Sequence, residues 1–205
     1  MPSKVIPGVN DLANLRPHLV AEADGWDPST LLPGSHKKMP WKCEKGHTWE
    51  ASPEKRVDRK QGCPYCRNVR VWSGFNDLKT RFPEVAKEAH GWDPSTVMPG
   101  TQKKMTWKCS IGHIWETTPD QRTQQGSGCL YCSNQRVLVG FNDLQTRFPE
   151  VAKEADGWDP TTVLPGNQKK RSWKCKEGHI WETTPDQRTT KGTGCHYCTN
   201  RKVWV

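Results

Sequence analysis

Trp41-Lys42-Cys43-Glu44-Lys45-Gly46-His47-Thr48-Trp49-Glu50, followed by Gly62-Cys63-Pro64-Tyr65-Cys66, decides how this chain is read. The four soft or borderline ligands are spaced Cys-x3-His-x15-Cys-x2-Cys. The same spacing returns at Cys109, His113, Cys129 and Cys132, and again at Cys175, His179, Cys195 and Cys198, which uses all nine cysteines. Two close pairs of such side chains on two tight turns are what a tetrahedral zinc ion needs, with ligands at about 2.0–2.3 Å. Gly46, Gly112 and Gly178 precede each histidine, where a chain wrapping its ligands around one ion needs positive φ. A disulfide framework would leave one of the three cysteines in each unit unpaired and give the recurring histidine no role. With all four positions taken by protein, each site is structural rather than catalytic.

The ligand sets are 66 residues apart, and that period organises the whole chain. A leader, 1–7, is followed by three units, 8–73, 74–139 and 140–205. Trp26, Trp92 and Trp158 keep the same interval, and Gly74-Phe75-Asn76-Asp77-Leu78 returns as Gly140-Phe141-Asn142-Asp143-Leu144. A 66-residue unit lies below the roughly 70–80 residues at which an apolar core alone suffices. A structural zinc contributes an apparent ~10–16 kcal/mol to folding, so each unit is expected to be a metal-dependent module and the chain to carry three Zn²⁺.

Composition excludes several classes. A hydrophobic fraction of 33% and a mean hydropathy of −0.89 leave no run approaching the roughly 20 apolar residues of a membrane-crossing helix. The start lacks the apolar stretch of a secretion signal, so the cytoplasm is the expected location, at the nucleoid if the chain binds DNA. Eleven tryptophans argue against disorder.

Within a unit, Met105-Thr106-Trp107-Lys108-Cys109 and Ile114-Trp115-Glu116-Thr117-Thr118 alternate large and polar residues on either side of the metal turn, the pattern of two strands. The apolar segments Arg70-Val71-Trp72, Arg136-Val137-Leu138-Val139 and Lys202-Val203-Trp204-Val205 predict a third strand. Leu78, Phe82, Val85, Ala86 and Ala89 fall on one helical face, which predicts one short amphipathic helix at the opening of each unit. The expected fold class is small α+β zinc modules, three in tandem, each a short helix plus a three-stranded sheet around a Cys3His site.

The succession Asn-Asp-Leu, Phe-Pro-Glu-Val-Ala-Lys-Glu-Ala, Gly-Trp-Asp-Pro, Trp-Lys-Cys-x-x-Gly-His-x-Trp-Glu and Gly-Cys-x-Tyr-Cys resembles the zinc-ribbon repeat family of microbial proteins, related to treble-clef fingers, over all three units. Such modules are often fused to endonucleases. The resemblance implies nucleic-acid binding, DNA ahead of RNA. This sequence has no segment matching the nuclease, so catalysis is not carried over and no enzyme is expected.

Charge points the same way. The formal net charge is +9, and three metal-loaded sites at −1 each bring it to +6. Lys/Arg outnumber Asp/Glu by ten to four over 34–73, five to two over 100–139 and nine to three over 166–205, whereas the unit openings are acidic. Three basic positions recur: the pairs Lys37-Lys38, Lys103-Lys104 and Lys169-Lys170; Lys42, Lys108 and Lys174 before the first ligand; and Arg56, Arg122 and Arg188 between the ligand pairs. Lysines of this kind either contact phosphate or form a solvated face that offsets the negative zinc centre. The arginines, forked donors on a loop, are expected to bind phosphate or a guanine edge. Asn68, Asn134 and Asn200 read as turn residues ahead of adenine contacts, and the repeated tryptophans as core ahead of base-stacking surfaces. Two classes stay open: a nucleic-acid-binding array contacting duplex DNA or RNA, and a protein-binding adaptor that targets a separately encoded effector such as a nuclease. Neither needs a membrane or a small-molecule substrate.

Overall fold

In the computed structural model, which describes residues 4–199, the repeats share one order of elements. Repeat 1 runs α1 (Leu12–Leu15), 3₁₀ turns at Pro17–Glu22 and Pro28–Thr30, strands β1 (Met39–Lys42) and β2 (Thr48–Ala51), then α2 (Pro53–Val57). Repeat 2 runs α3 (Leu78–Arg81), α4 (Pro83–Ala86), a 3₁₀ turn at Pro94–Thr96, β3 (Met105–Lys108), β4 (Ile114–Thr117) and α5 (Pro119–Thr123). Repeat 3 runs α6 (Leu144–Arg147), α7 (Pro149–Ala152), a 3₁₀ turn at Pro160–Thr162, β5 (Arg171–Lys174), β6 (Ile180–Thr183) and α8 (Pro185–Thr189). Packing divides the chain inside repeat 2. One compact unit holds repeat 1, the opening of repeat 2 through Met105, and Thr118–Gln124; the other holds Thr106–Thr117 and the chain from Gln125 onward.

Each opening is pinned by a buried aspartate. Asp77 caps α3, its Oδ1 accepting from the Thr80 backbone N–H at 2.9 Å and its Oδ2 from that of Gly74 at 2.6 Å. Asp143 does the same with Thr146 and Gly140, at 2.8 and 2.7 Å. Burial alone would raise the Asp77 carboxyl, but bonds from the Thr80 side chain and from backbone amides hold it below its ordinary range. The single amphipathic helix expected here is broken into two turns. The Pro83 ring disfavours helical backbone at the residue before it, and Phe82 accordingly sits at φ −140°, ψ 66°. Phe148 before Pro149 is the same, at −140° and 65°.

The metal turn joins a two-stranded antiparallel hairpin, in which Trp41 faces Trp49 and Trp173 faces Trp181. The tryptophans form the core, as the small size of the unit suggests. Trp41, Trp107 and Trp173 are fully buried, and the Trp41 indole N–H donates to the Ala51 carbonyl at 2.9 Å. Trp26 and Trp158 pack edge-on against Trp41 and Trp173 at 5.1 and 5.0 Å. Among the described residues the expected third strand does not form, and each sheet has two strands. Val71-Trp72 packs instead on the metal side, with Trp72 lying 5.0 Å from His47 and 4.7 Å from Tyr65. Leu138 ends in a turn, its carbonyl accepting from Phe141 and Asn142. The expected segment 202–205, like Asn200, lies outside the described residues. Among those residues no helix is long and apolar enough to cross a membrane.

Candidate metal centres and the basic face beside them

The hairpin turn delivers the first ligand pair. The Cys43 N–H donates to the His47 carbonyl at 3.0 Å and the Gly46 N–H to the Cys43 carbonyl at 2.8 Å. Gly46, Gly112 and Gly178 have φ of 82°, 99° and 83°, the left-handed backbone expected of a glycine before the histidine. The second pair lies on a single turn closed by the Arg67 N–H donating to the Cys63 carbonyl at 3.1 Å.

The four ligand atoms of each set lie within 4.8 Å of one another. A tetrahedral zinc with S at about 2.3 Å and N at about 2.0–2.1 Å implies S···S edges of about 3.8 Å and S···N edges of about 3.6 Å. The Cys43–Cys66, Cys109–Cys132 and Cys175–Cys198 sulfurs are 3.8, 3.9 and 3.7 Å apart. His47 Nδ1 stands 3.4, 3.6 and 3.4 Å from Cys43, Cys63 and Cys66. His113 and His179 present Nδ1 likewise. These sulfur separations are nearly twice a disulfide bond of about 2.05 Å, and all nine cysteines are free. Without a cation the sulfurs compete for ionisation. Desolvation and the neighbouring sulfurs push the Cys66 thiol up to about 11, and Cys132 and Cys198 to about 12. Cys43 goes the other way: burial raises it, but the His47 and Lys45 amides hold it below its ordinary value. A divalent ion relieves this competition, and the three Cys3His sets are positioned to hold structural zinc.

These sites match known proteins. A family model described as "Probable Treble clef zinc finger domain" matches residues 19–69, 84–135 and 150–201, one match per ligand set and most of the chain. The chain belongs to this treble clef zinc finger family. A protein of Escherichia phage T5 named "Putative endonuclease" is 29% identical over 104 residues. The match takes in 51% of this chain, which spans about a third (35%) of that relative's length.

The first two treble clef modules are backed by the residues that open the repeat after them. The Phe75 ring lies 4.3 Å from His47, and Phe141 lies 4.2 Å from His113. Asn76, buried, donates to the Tyr65 and Arg70 carbonyls at 3.0 and 2.9 Å and accepts from the Trp72 N–H at 2.6 Å. Asn142 repeats this with Tyr131, Arg136 and Leu138. Asn68 and Asn134 take φ of 54° and accept from Asn76 and Asn142 at 3.3 Å. They are turn residues.

The three arginines are not surface contacts. Arg56, Arg122 and Arg188 are buried at 6%, 9% and 8% exposure, carried inward by the helices that follow the hairpins. Each is ion-paired with a glutamate 34 residues earlier: Glu22, Glu88 and Glu154. The Arg56 guanidinium lies 4.9 and 5.2 Å from the Trp41 and Trp49 rings, and Arg188 lies 5.3 Å from both Trp173 and Trp181. Burial pushes the Arg56 guanidinium below its usual value, while Glu22 and the Cys63 sulfur hold it up. This corrects the expectation drawn from the sequence. Arg56, between two indoles, paired with Glu22 and beside Cys63, is held inside the module rather than on a surface loop. The sequence signal for this pairing is the recurring glutamate at one fixed interval from each arginine.

The lysines behave differently. Lys37, Lys38, Lys42, Lys103, Lys104, Lys108, Lys169, Lys170 and Lys174 are all exposed, and none enters an ion pair among the described residues.

Proposed function

We propose that this chain binds nucleic acid, double-stranded DNA in the first place, through the lysine-bearing face of each zinc module. The observation that carries the reading is the exposure of all nine recurring lysines, without a carboxylate partner, next to the hairpin that holds the metal. With the arginines neutralised internally, these lysines hold the recurring mobile positive charge. Phosphate contacts of this kind set affinity and position without reading sequence, and linking three weak modules raises the effective concentration of the second and third contacts. Such an array would act in the cytoplasm, at the nucleoid, and no reaction is assigned to it. The likeness to a phage protein named as an endonuclease favours a compatible second reading, in which the array addresses a nuclease to its substrate.

Salt-dependent binding tests the proposal. Replacing Lys103, Lys104 and Lys108 by Gln should lower the magnitude of the log K against log[salt] slope by up to about 2.7, at roughly 0.9 per B-DNA phosphate. An unchanged slope removes these lysines from the interface. Stronger competition by an RNA duplex of equal length would transfer the reading to RNA.

A further inference from the structure

A groove of about 480 Å³ lies in repeat 1 between β2, α2 and the second ligand turn, and Lys38, Lys55, Arg59, Arg67 and Arg70 line it. All five are exposed. Glu50 and Glu54 share the wall, and Glu54 is engaged with Arg59 at 3.3 Å, so the groove carries a net +3. Repeat 3 forms the equivalent groove, about 420 Å³, between Trp181, Gln187 and His196. The framework is common to both: Trp49 and Trp181, Glu50 and Glu182, Gly62 and Gly194 occupy matching positions. What differs is the chemistry of the lining. Lys55, Arg59 and Arg67 become Gln187, Lys191 and Thr199 in repeat 3, and Gln121, Gln125 and Ser133 in repeat 2.

We infer that the grooves of repeats 1 and 3 are chemically distinct ligand faces on one scaffold, and that the groove of repeat 1 is the array's phosphate anchor, gripping the sugar–phosphate backbone of a DNA duplex. The inference rests on the nucleic-acid reading above and adds to it an asymmetry that the recurring lysines do not have. Three arginine forks and two lysines around an open groove suit phosphate oxygens, which accept paired hydrogen bonds. The backbone gives a second, independent sign. Lys60, next to Arg59, sits at φ 48°, where repeats 2 and 3 place Gly126 and Gly192 at 62° and 61°. A lysine is held there in a conformation that glycine adopts freely, and it adds one more cation beside the groove.

Exchanging the grooves tests this in the zinc-loaded full chain, with a mixed-sequence DNA duplex titrated between ~50 and 200 mM salt. Lys55→Gln, Arg59→Gln and Arg67→Ser give repeat 1 the residues that repeat 2 already folds with, and the slope should fall by about 2.7. The reciprocal Gln187→Lys and Thr199→Arg in the groove of repeat 3 should raise it by about 1.8, at roughly 0.9 per added contact, and this variant decides the matter should the first lose zinc. A wild type that binds duplex while neither exchange moves the slope overturns the anchor and leaves the lysine reading standing. A wild type that binds no duplex at the lowest salt overturns both.

Discussion

Replacing Arg188 by Met separates an arginine that builds the module from one that touches DNA. Its side chain is 7% exposed and paired with Glu154, it donates to the Thr193 carbonyl, and it lies 5.3 Å from each of two indoles. Removing one member of a buried ion pair typically costs about 3–5 kcal/mol because the other charge is stranded. Glu154 is 31% exposed and regains part of its hydration, and methionine keeps apolar contact with both rings, so the net loss should be about 2–3 kcal/mol. Because folding and metal binding are one equilibrium in such modules, the loss appears as weaker zinc retention at one site, by about 30–150-fold at roughly 1.4 kcal/mol per decade. Chelator competition should therefore resolve one labile and two tight equivalents, and Arg56→Met and Arg122→Met should each loosen a different site. The salt dependence of DNA binding by the zinc-saturated variant should be unchanged. Full zinc retention together with a slope lowered by about 0.9 would show instead that the arginine leaves its indole sandwich for a phosphate.

Lys60→Gly should stabilise repeat 1 by about 0.5–1 kcal/mol, by relieving left-handed backbone strain, yet weaken duplex binding, as thermal unfolding and anisotropy on one sample would reveal. Asn76→Ala should loosen zinc at the Cys43 site of the preceding repeat, because it strands the Tyr65 and Arg70 carbonyls and the Trp72 N–H at about 1 kcal/mol per bond; loss confined to the Cys109 site would contradict the packing. Zinc uptake at pH 7 should release two to three protons per ion, since the Cys66, Cys132 and Cys198 thiols stand at about 11–12 before metal arrives while Cys43 and its counterparts lie below the ordinary value. Retention should accordingly fall as pH drops, because protons then compete with zinc for the thiolates. Calorimetry in buffers of different ionisation enthalpy would count these protons.

The metal sites were legible because a fixed period repeats the only residue types that can ligate zinc, and local turn geometry does the rest. Where long-range packing decides, the pattern misleads. Apolar Val71-Trp72 looks like a strand, but Trp72 finds the His47 and Tyr65 rings instead of a strand edge. Phe82 fits the helical face, yet Pro83 removes it from the helix. The helices carrying the arginines do have a local signal: Ser52-Pro53-Glu54 and Thr118-Pro119-Asp120 place an N-cap residue type, a first-turn proline and an acid in order, and Thr118 caps the Gln121 N–H. The arginines look like surface donors only if the segment between the ligand pairs is a loop, and it is a helix that turns them inward. The glutamate that neutralises each one lies half a repeat away.

The internal Arg–Glu pairs also explain how one scaffold can vary its ligand face. Zinc, the two facing tryptophans and the Arg–Glu pair hold each module from within, and none of them lines the groove with a freely titrating charge. Groove positions 55, 59 and 67 then contribute little to folding, so repeats 2 and 3 carry Gln121, Gln125 and Ser133, or Gln187, Lys191 and Thr199, at no evident cost to the ligand geometry around them. A module held together by its apolar surface would lack this freedom, because changes on the face would reach the core. In this chain the interior is nearly identical from repeat to repeat while the groove differs, and two grooves of unequal charge, in repeats 1 and 3, give the array a polarity that copies of one finger would not have. The groove of repeat 1, with its five cations, should therefore dominate the electrostatic part of binding, leaving the neutral groove of repeat 3 to contacts that salt does not screen.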